Sequence, residues 1–163
     1  MTESAEITML TRGMTFEEMT AGLTFRTAAR TVTETDLINF ITLAGFNEPL
    51  FWDARHAASA GYPGRLVPGA LIYALAEGLV LQTHALSGTG LAFMHMELDV
   101  RQPVFVGDTL HCIVEITESR PSSKPGRGVV TSRIDVRNQH DKVVLVFTPV
   151  RLIRGRDYVP ATV

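Results

Sequence analysis

The chain is poor in the residues that announce a metal centre or a redox site. It has one cysteine, Cys112, so no internal disulfide can form, and an alternating setting makes it a small buried hydrophobe. Its five histidines show neither HExxH nor the paired spacing that holds zinc, so no metal is expected. Charge of one sign is lacking too. Fifteen Lys and Arg stand against seventeen Asp and Glu, a formal charge of -2, so no basic field draws the chain to nucleic acid or to an anionic membrane. The most apolar run, Ala70 to Leu81, is broken by Glu77 and falls short of the ~20 residues needed to cross a bilayer. The acidic start Met1 to Glu6 carries no apolar or Arg-rich segment, which argues against a secretory or transit peptide and makes the cytoplasm the expected location. Gly88-Thr89-Gly90 follows a predicted helix, not a strand, and is no nucleotide fingerprint.

What remains fits one soluble domain: 163 residues, 45% hydrophobic and 20% charged, enough to bury a core. Residues 1–22 lack periodicity and read as a partly ordered lead-in, with a single domain over 23–163. Thr24 to Thr31 alternates as a first strand. A helix follows, with Thr33 as its cap, Asp36 at the reciprocal capping-box position, Val32 stapled to Leu37, and Gly45 as its end. Its apolar side is expected to hold Leu37, Ile38, Phe40, Ile41 and Leu43. A short helix is expected from Asp53, its cap, to Ala60, with Gly61 as the stop.

Pro68 sits where a first helical turn tolerates it, and the run through about Thr83 is apolar almost all round, so that helix must be enclosed. Downstream, Ala92, Met94, Met96, Leu98 and Val100 alternate with Phe93, His95, Glu97 and Asp99, the pattern of a half-buried strand. Leu110 to Ile116, Val130 to Val136 and Lys142 to Ile153 repeat the period of two, with Val143 to Phe147 apolar on both faces. Ser119 to Gly128, rich in Pro, Ser and Gly, reads as a flexible hairpin loop. Helices followed by long strands predict α+β architecture, a sheet wrapped round one helix.

Two segments carry chemistry. Ala44 to Asp53 reads AGFNEPLFWD, and Gly64 to Ala70 reads GRLVPGA; a later PVFVGDTL completes the pattern. Together they resemble the MaoC-like hydratases and dehydratases, whose loop approximates G-D-x-N-P-L-H-x-D and whose central helix opens on G-x-x-A/V-x-G. Gly45, Pro49, Leu50 and Asp53 match the loop, and Gly64, Val67 and Gly69 match the helix start. The family's catalytic Asp falls on Phe46, its Asn on Glu48 and its catalytic His on Phe51. Phenylalanine transfers no proton, and each positioned acid or base contributes ~10²- to 10⁴-fold.

The resemblance implies a hot-dog fold, an antiparallel sheet round a long central helix, assembled as a homodimer or dimer of dimers. It implies an acyl-CoA or acyl-carrier thioester as substrate, coenzyme A being part of that substrate and no separate cofactor being required. Amides at Gly69 and Ala70 would polarise the thioester carbonyl. Phe46, Asn47, Phe51, Trp52, Tyr62 and Val67 are the expected substrate-lining residues, although core packing explains aromatics equally well. Glu48 and His56 are the candidate replacement acid and base. Against this, Glu48 is as readily a solvent-facing or turn-capping residue, and His56 a surface or packing histidine. His95 and Glu97 share a strand face that solvent claims as readily as a site. Glu77 needs a partner if buried. Arg120, Lys124 and Arg127, or Arg151, Arg154 and Arg156, could meet coenzyme A phosphates or stay solvated. Three functions are therefore in contention: hydration or dehydration through relocated acid-base groups, a catalytically silent acyl-CoA-binding subunit paired with an active MaoC-like chain, and thioester hydrolysis.

Overall fold

In the computed structural model, which describes residues 11–160, short N-terminal pieces and four helices precede a run of long antiparallel strands. The elements are β1 (Thr24–Arg26), β2 (Arg30–Thr31), α1 (Glu34–Ala44), α2 (Pro49–Trp52), α3 (Ala54–Ser59), α4 (Gly69–Gln82), β3 (Gly90–Val100), β4 (Thr109–Pro121), β5 (Arg127–Arg137) and β6 (Val143–Arg154). The sheet runs β1-β4-β5-β6-β3, with β2 also paired to β4. Strands β4, β5 and β6 form a meander, and β3 lies outside β6 as an edge.

Local chemistry explains the helix ends. Thr33 accepts from the Asp36 amide while Asp36 accepts from the Thr33 amide, the reciprocal box, and Gly45 closes α1 in the left-handed region at φ 68°. Asp53 accepts from the Arg55 amide to cap α3. Leu43 departs from expectation: it is 89% exposed, because it sits two residues past Ile41 on the opposite side of a helix that buries Leu37 and Ile41. The expected single strand Thr24 to Thr31 is two pieces. Thr27 turns inward between them, its hydroxyl accepting from the Cys112 amide and its own amide donating to the Cys112 carbonyl.

Helix α4 lies in the concave face of the sheet. Leu71, Ile72, Leu75, Ala76, Leu79 and Val80 are buried against Cys112, Val114, Ile134, Val136, Leu145 and Phe147. Each large aliphatic side chain buried there contributes roughly 1.5–3 kcal/mol. Cys112 donates its thiol to the Ala76 carbonyl, and burial pushes its pKa up to about 12, so it packs as a hydrophobe.

Enclosure of α4 is one-sided, which corrects the reading of a fully enclosed helix: Ala70, Ala74 and Leu81 face out. Strand β3 also differs from the half-buried strand expected. Phe93, Met94, Leu98 and Val100 are all exposed, and register shifts at Gly90/Ala92 and Phe93/His95 break the strict alternation. Both departures lie along one margin, where no further strand among the described residues covers β3.

Residues 11–22, read from sequence as part of a lead-in, are packed against the far end of the sheet; residues 1–10 lie outside the described residues. Met19 is buried with Ile116, Val130 and Ile153, flanked by Met14 and Phe16. Phe16 lies so close to Gly128 that any side chain there would strike its ring. The loop expected over Ser119 to Gly128 is shorter, since β4 continues to Pro121 and β5 begins at Arg127.

Candidate functional site

The two motif segments meet at the start of α4. Leu66 donates its amide to the Leu50 carbonyl (3.2 Å), Val67 donates to the Val104 carbonyl (2.8 Å), and Leu66 bridges to Phe105. The AGFNEPLFWD loop, the helix start and the PVFVGDTL segment are thereby tied into one unit. Val67 and Pro68 are buried within it.

Pro68 is the N-cap of α4, and its carbonyl accepts from the Leu71 and Ile72 amides. The amides of Gly69 and Ala70 donate to no protein acceptor among the described residues. At the first turn of a 14-residue helix these N-H groups carry the positive end of the macrodipole, the arrangement that polarises a carbonyl oxygen. Space beside Gly69 is tight: a Cβ there would approach Val100 Cγ2 to 3.1 Å, and that side chain would have to give by a few tenths of an ångström.

Aromatic rings fill the neighbouring loop. Phe46 meets Phe40 edge-on at 5.3 Å and Phe51 at 6.0 Å, and all three pack against the main core. Trp52 is partly exposed, and its indole N-H donates to the Phe46 carbonyl at 3.0 Å. The segment read as a loop from Pro49 to Trp52 is in fact α2, a single turn that the sequence reading missed. Tyr62 lies tilted against Phe105, with ring centroids 6.3 Å apart, and Asn47 is exposed.

The candidate acid and base are differently placed. Glu48 is the N-cap residue of α2 but makes no side-chain cap; it is exposed and forms no ion pair among the described residues. His56 is exposed on α3. Asp53 is occupied as a cap, and its hydrogen bond from the Arg55 amide lowers its pKa. His95 and Glu97 are both exposed on the edge strand. Neither Glu48 nor His56 is held against the aromatic cluster by a side-chain hydrogen bond among the described residues.

Two charged pairs near α4 escaped the sequence reading as pairs. Arg151 is buried and gives Nη2 to both Glu77 oxygens, at 2.7 and 2.6 Å, while its guanidinium lies over Phe93. This supplies the partner Glu77 needs, and it removes Arg151 from the expected phosphate-binding set. Tyr73, on the same stripe of α4, packs edge-on against Phe147 at 5.2 Å, and burial raises its pKa. Arg65, inside the helix-start motif, pairs with Glu34 of α1. An alternation of sign 31 residues apart leaves no periodic signal in the sequence. Among the described residues no group of three or more His, Cys, Asp or Glu is placed to hold a metal, and no helix is long and apolar enough to cross a membrane.

The chain's relatives match this arrangement. The MaoC like domain family matches residues 17–138. A 3-hydroxybutyryl-CoA dehydratase of Methylorubrum extorquens is 28% identical over 134 residues, 82% of this chain and 80% of that protein. An (R)-specific enoyl-CoA hydratase of Aeromonas caviae is 35% identical over 95 residues, 58% of this chain and 68% of that protein. A Mycobacterium tuberculosis protein with a double hot-dog fold superposes at a TM-score of 0.78 and 24% identity, over 93% of this chain and 47% of that one. One layer of antiparallel strands cradling α4 and a family match over most of the length leave one conclusion: the chain belongs to the MaoC-like hydratase and dehydratase family and has its hot-dog fold.

Proposed function

We propose that this chain serves the hydration or dehydration of acyl thioesters by binding and polarising the thioester, with proton transfer supplied by another chain. The carrying observation is the aromatic cluster: the Phe46 ring lies against both Phe40 and Phe51, and the resemblance sets Phe46 and Phe51 at the family's acid and base positions. The free amides of Gly69 and Ala70 support carbonyl binding, and the rings of Phe46, Phe51 and Trp52 offer an apolar wall to the acyl group. The substrate class is a 2-enoyl or 3-hydroxyacyl thioester of coenzyme A or a carrier protein, as the names of the relatives suggest. Exposed Phe93, Met94, Leu98 and Val100 on β3, with Leu81 of α4, make this margin the surface for a second hot-dog domain, either a copy of this chain or a catalytic MaoC-like subunit.

A second reading keeps the chemistry within the chain. Glu48 is unpaired and begins α2 between Phe46 and Phe51 in sequence, so it is the one carboxylate in the loop free to act as acid or base. Turnover of a short 2-enoyl-CoA by the purified chain, with binding followed by Trp52 fluorescence, separates the readings. Saturable binding without hydration is the expected result. Hydration that disappears in Glu48→Gln would establish the second reading instead, and release of free coenzyme A from a saturated acyl-CoA would replace both with thioester hydrolysis.

A further inference from the structure

Arg65 is a charged side chain built into an otherwise apolar motif. It is only 20% exposed, against 55% for Glu34, its ion-pair partner in the first turn of α1. Nη2 alone serves that pair, and the other guanidinium nitrogens make no protein hydrogen bond among the described residues. Arg65 and Glu34 both line an open groove of about 430 Å³ whose other walls are Ala54, Pro63, Gly64, Phe105 and Val106. The groove lies beside the thioester site, because Arg65 precedes Gly69 by four residues, which span at most roughly 14 Å when extended.

We propose that this groove receives the carrier arm of the thioester and that Arg65 binds a phosphate group on that arm, exchanging Glu34 for it. The inference rests on the thioester-binding reading above. A guanidinium matches two phosphate oxygens at once, whereas here it spends one nitrogen on a single carboxylate oxygen. Glu34 is the mobile member of the pair: its carboxylate is more than half in water, where leaving the pair costs little. Arg65 is the more buried member, so the positive charge stays while the counter-ion changes. The phosphate at the end of a pantetheine arm is common to coenzyme A and to acyl carrier proteins, and either source fits this chemistry.

Trp52 fluorescence gives dissociation constants for three butyryl thioesters: of coenzyme A, of phosphopantetheine and of N-acetylcysteamine, which has no phosphate. Arg65→Gln is expected to weaken the phosphorylated thioesters by roughly tenfold or more and to leave the N-acetylcysteamine thioester unchanged. Glu34→Gln is expected to tighten only the phosphorylated ones, and its unfolding midpoint serves as a check on folding. Equal weakening of coenzyme A and phosphopantetheine thioesters places the shared pantetheine phosphate at Arg65. Loss confined to the coenzyme A thioester assigns a nucleotide phosphate instead. Equal weakening of all three ligands, or of none, overturns the assignment while thioester binding stands. If no thioester binds the wild-type chain, the binding reading falls and this inference falls with it.

Discussion

The loop over Gly45 to Asp53 and the start of α4 over Gly64 to Ala70 are parts of one site, yet they have kept different things. At the helix start the geometry is intact: a buried Val67, two unspent amides and a glycine fitted against Val100. In the loop the turns are well formed, with Gly45 closing α1, Pro49 in the first turn of α2 and Asp53 capping α3, while Phe46 and Phe51, which the resemblance sets at the proton-transfer positions, are rings packed against the core. Polarising a carbonyl needs backbone, which any sequence supplies once the helix is placed. Moving a proton needs two particular side chains, and those can be lost without disturbing the fold. Binding and chemistry are therefore separable in this architecture.

The largest effect should come from putting the side chains back. Phe46→Asp with Phe51→His is expected to raise hydration of a short 2-enoyl-CoA by at least ~10²-fold over the wild type. A lower unfolding midpoint is expected as well, because two rings leave the Phe40 cluster. A folded, thioester-binding double variant that gains nothing would show that the frame has drifted, and the contrast would fail.

A smaller effect is expected at the other segment. Gly69→Pro removes one amide without breaking the helix, since proline is tolerated at the first helical position and Pro68, at φ -54° and ψ 139°, already has the conformation a following proline favours. Combined with Val100→Ala, which opens the 3.1 Å contact, it should weaken thioester binding by roughly two- to tenfold, read from Trp52 fluorescence. Unchanged affinity would mean that these amides are not the carbonyl site.

The smallest effect concerns Asp53, a family position that serves here as a cap. Asp53→Asn should preserve thioester affinity and lower the unfolding midpoint only slightly at neutral pH, whereas Asp53→Ala should lower the midpoint further. Its pKa is lowered in the folded chain, so its stabilisation is present above the unfolded carboxylate pKa and is lost as pH falls through the lowered folded value. The small excess of wild type over Asp53→Asn in thermal melts should thus hold above about pH 4 and fade below it. A difference that persists in acid would give Asp53 a further role.

Much of this was legible because it is local. Thr33, Asp36, Gly45, Asp53 and Gly61 act on neighbours within one helical turn, and alternation at Leu110, Cys112, Val114 and Ile116 names the buried face of β4 directly. Four residues of α2 are too few to show a period, so that turn was hidden. Partners far apart in sequence were hidden as well: Glu34 with Arg65, Glu77 with Arg151, and the Phe40 ring against Phe46. Periodicity also counts apolar positions without knowing whether this chain covers them. It marked α4 as enclosed and β3 as half-buried, and the fold leaves one margin of both uncovered.

That margin has a consequence for the life of the protein in a cell. An 11-residue edge strand bearing exposed Phe93, Met94, Leu98 and Val100 is a template for pairing with any unfolded strand, including those of other copies still being synthesised. A chain that covered it, as proposed above, would lend stability by mass action, so the folded fraction would rise with the abundance of that partner. Newly made chains in excess of such a partner would be the ones presented to chaperones and proteases, and turnover would then set the ratio of the two chains without any separate control of their synthesis.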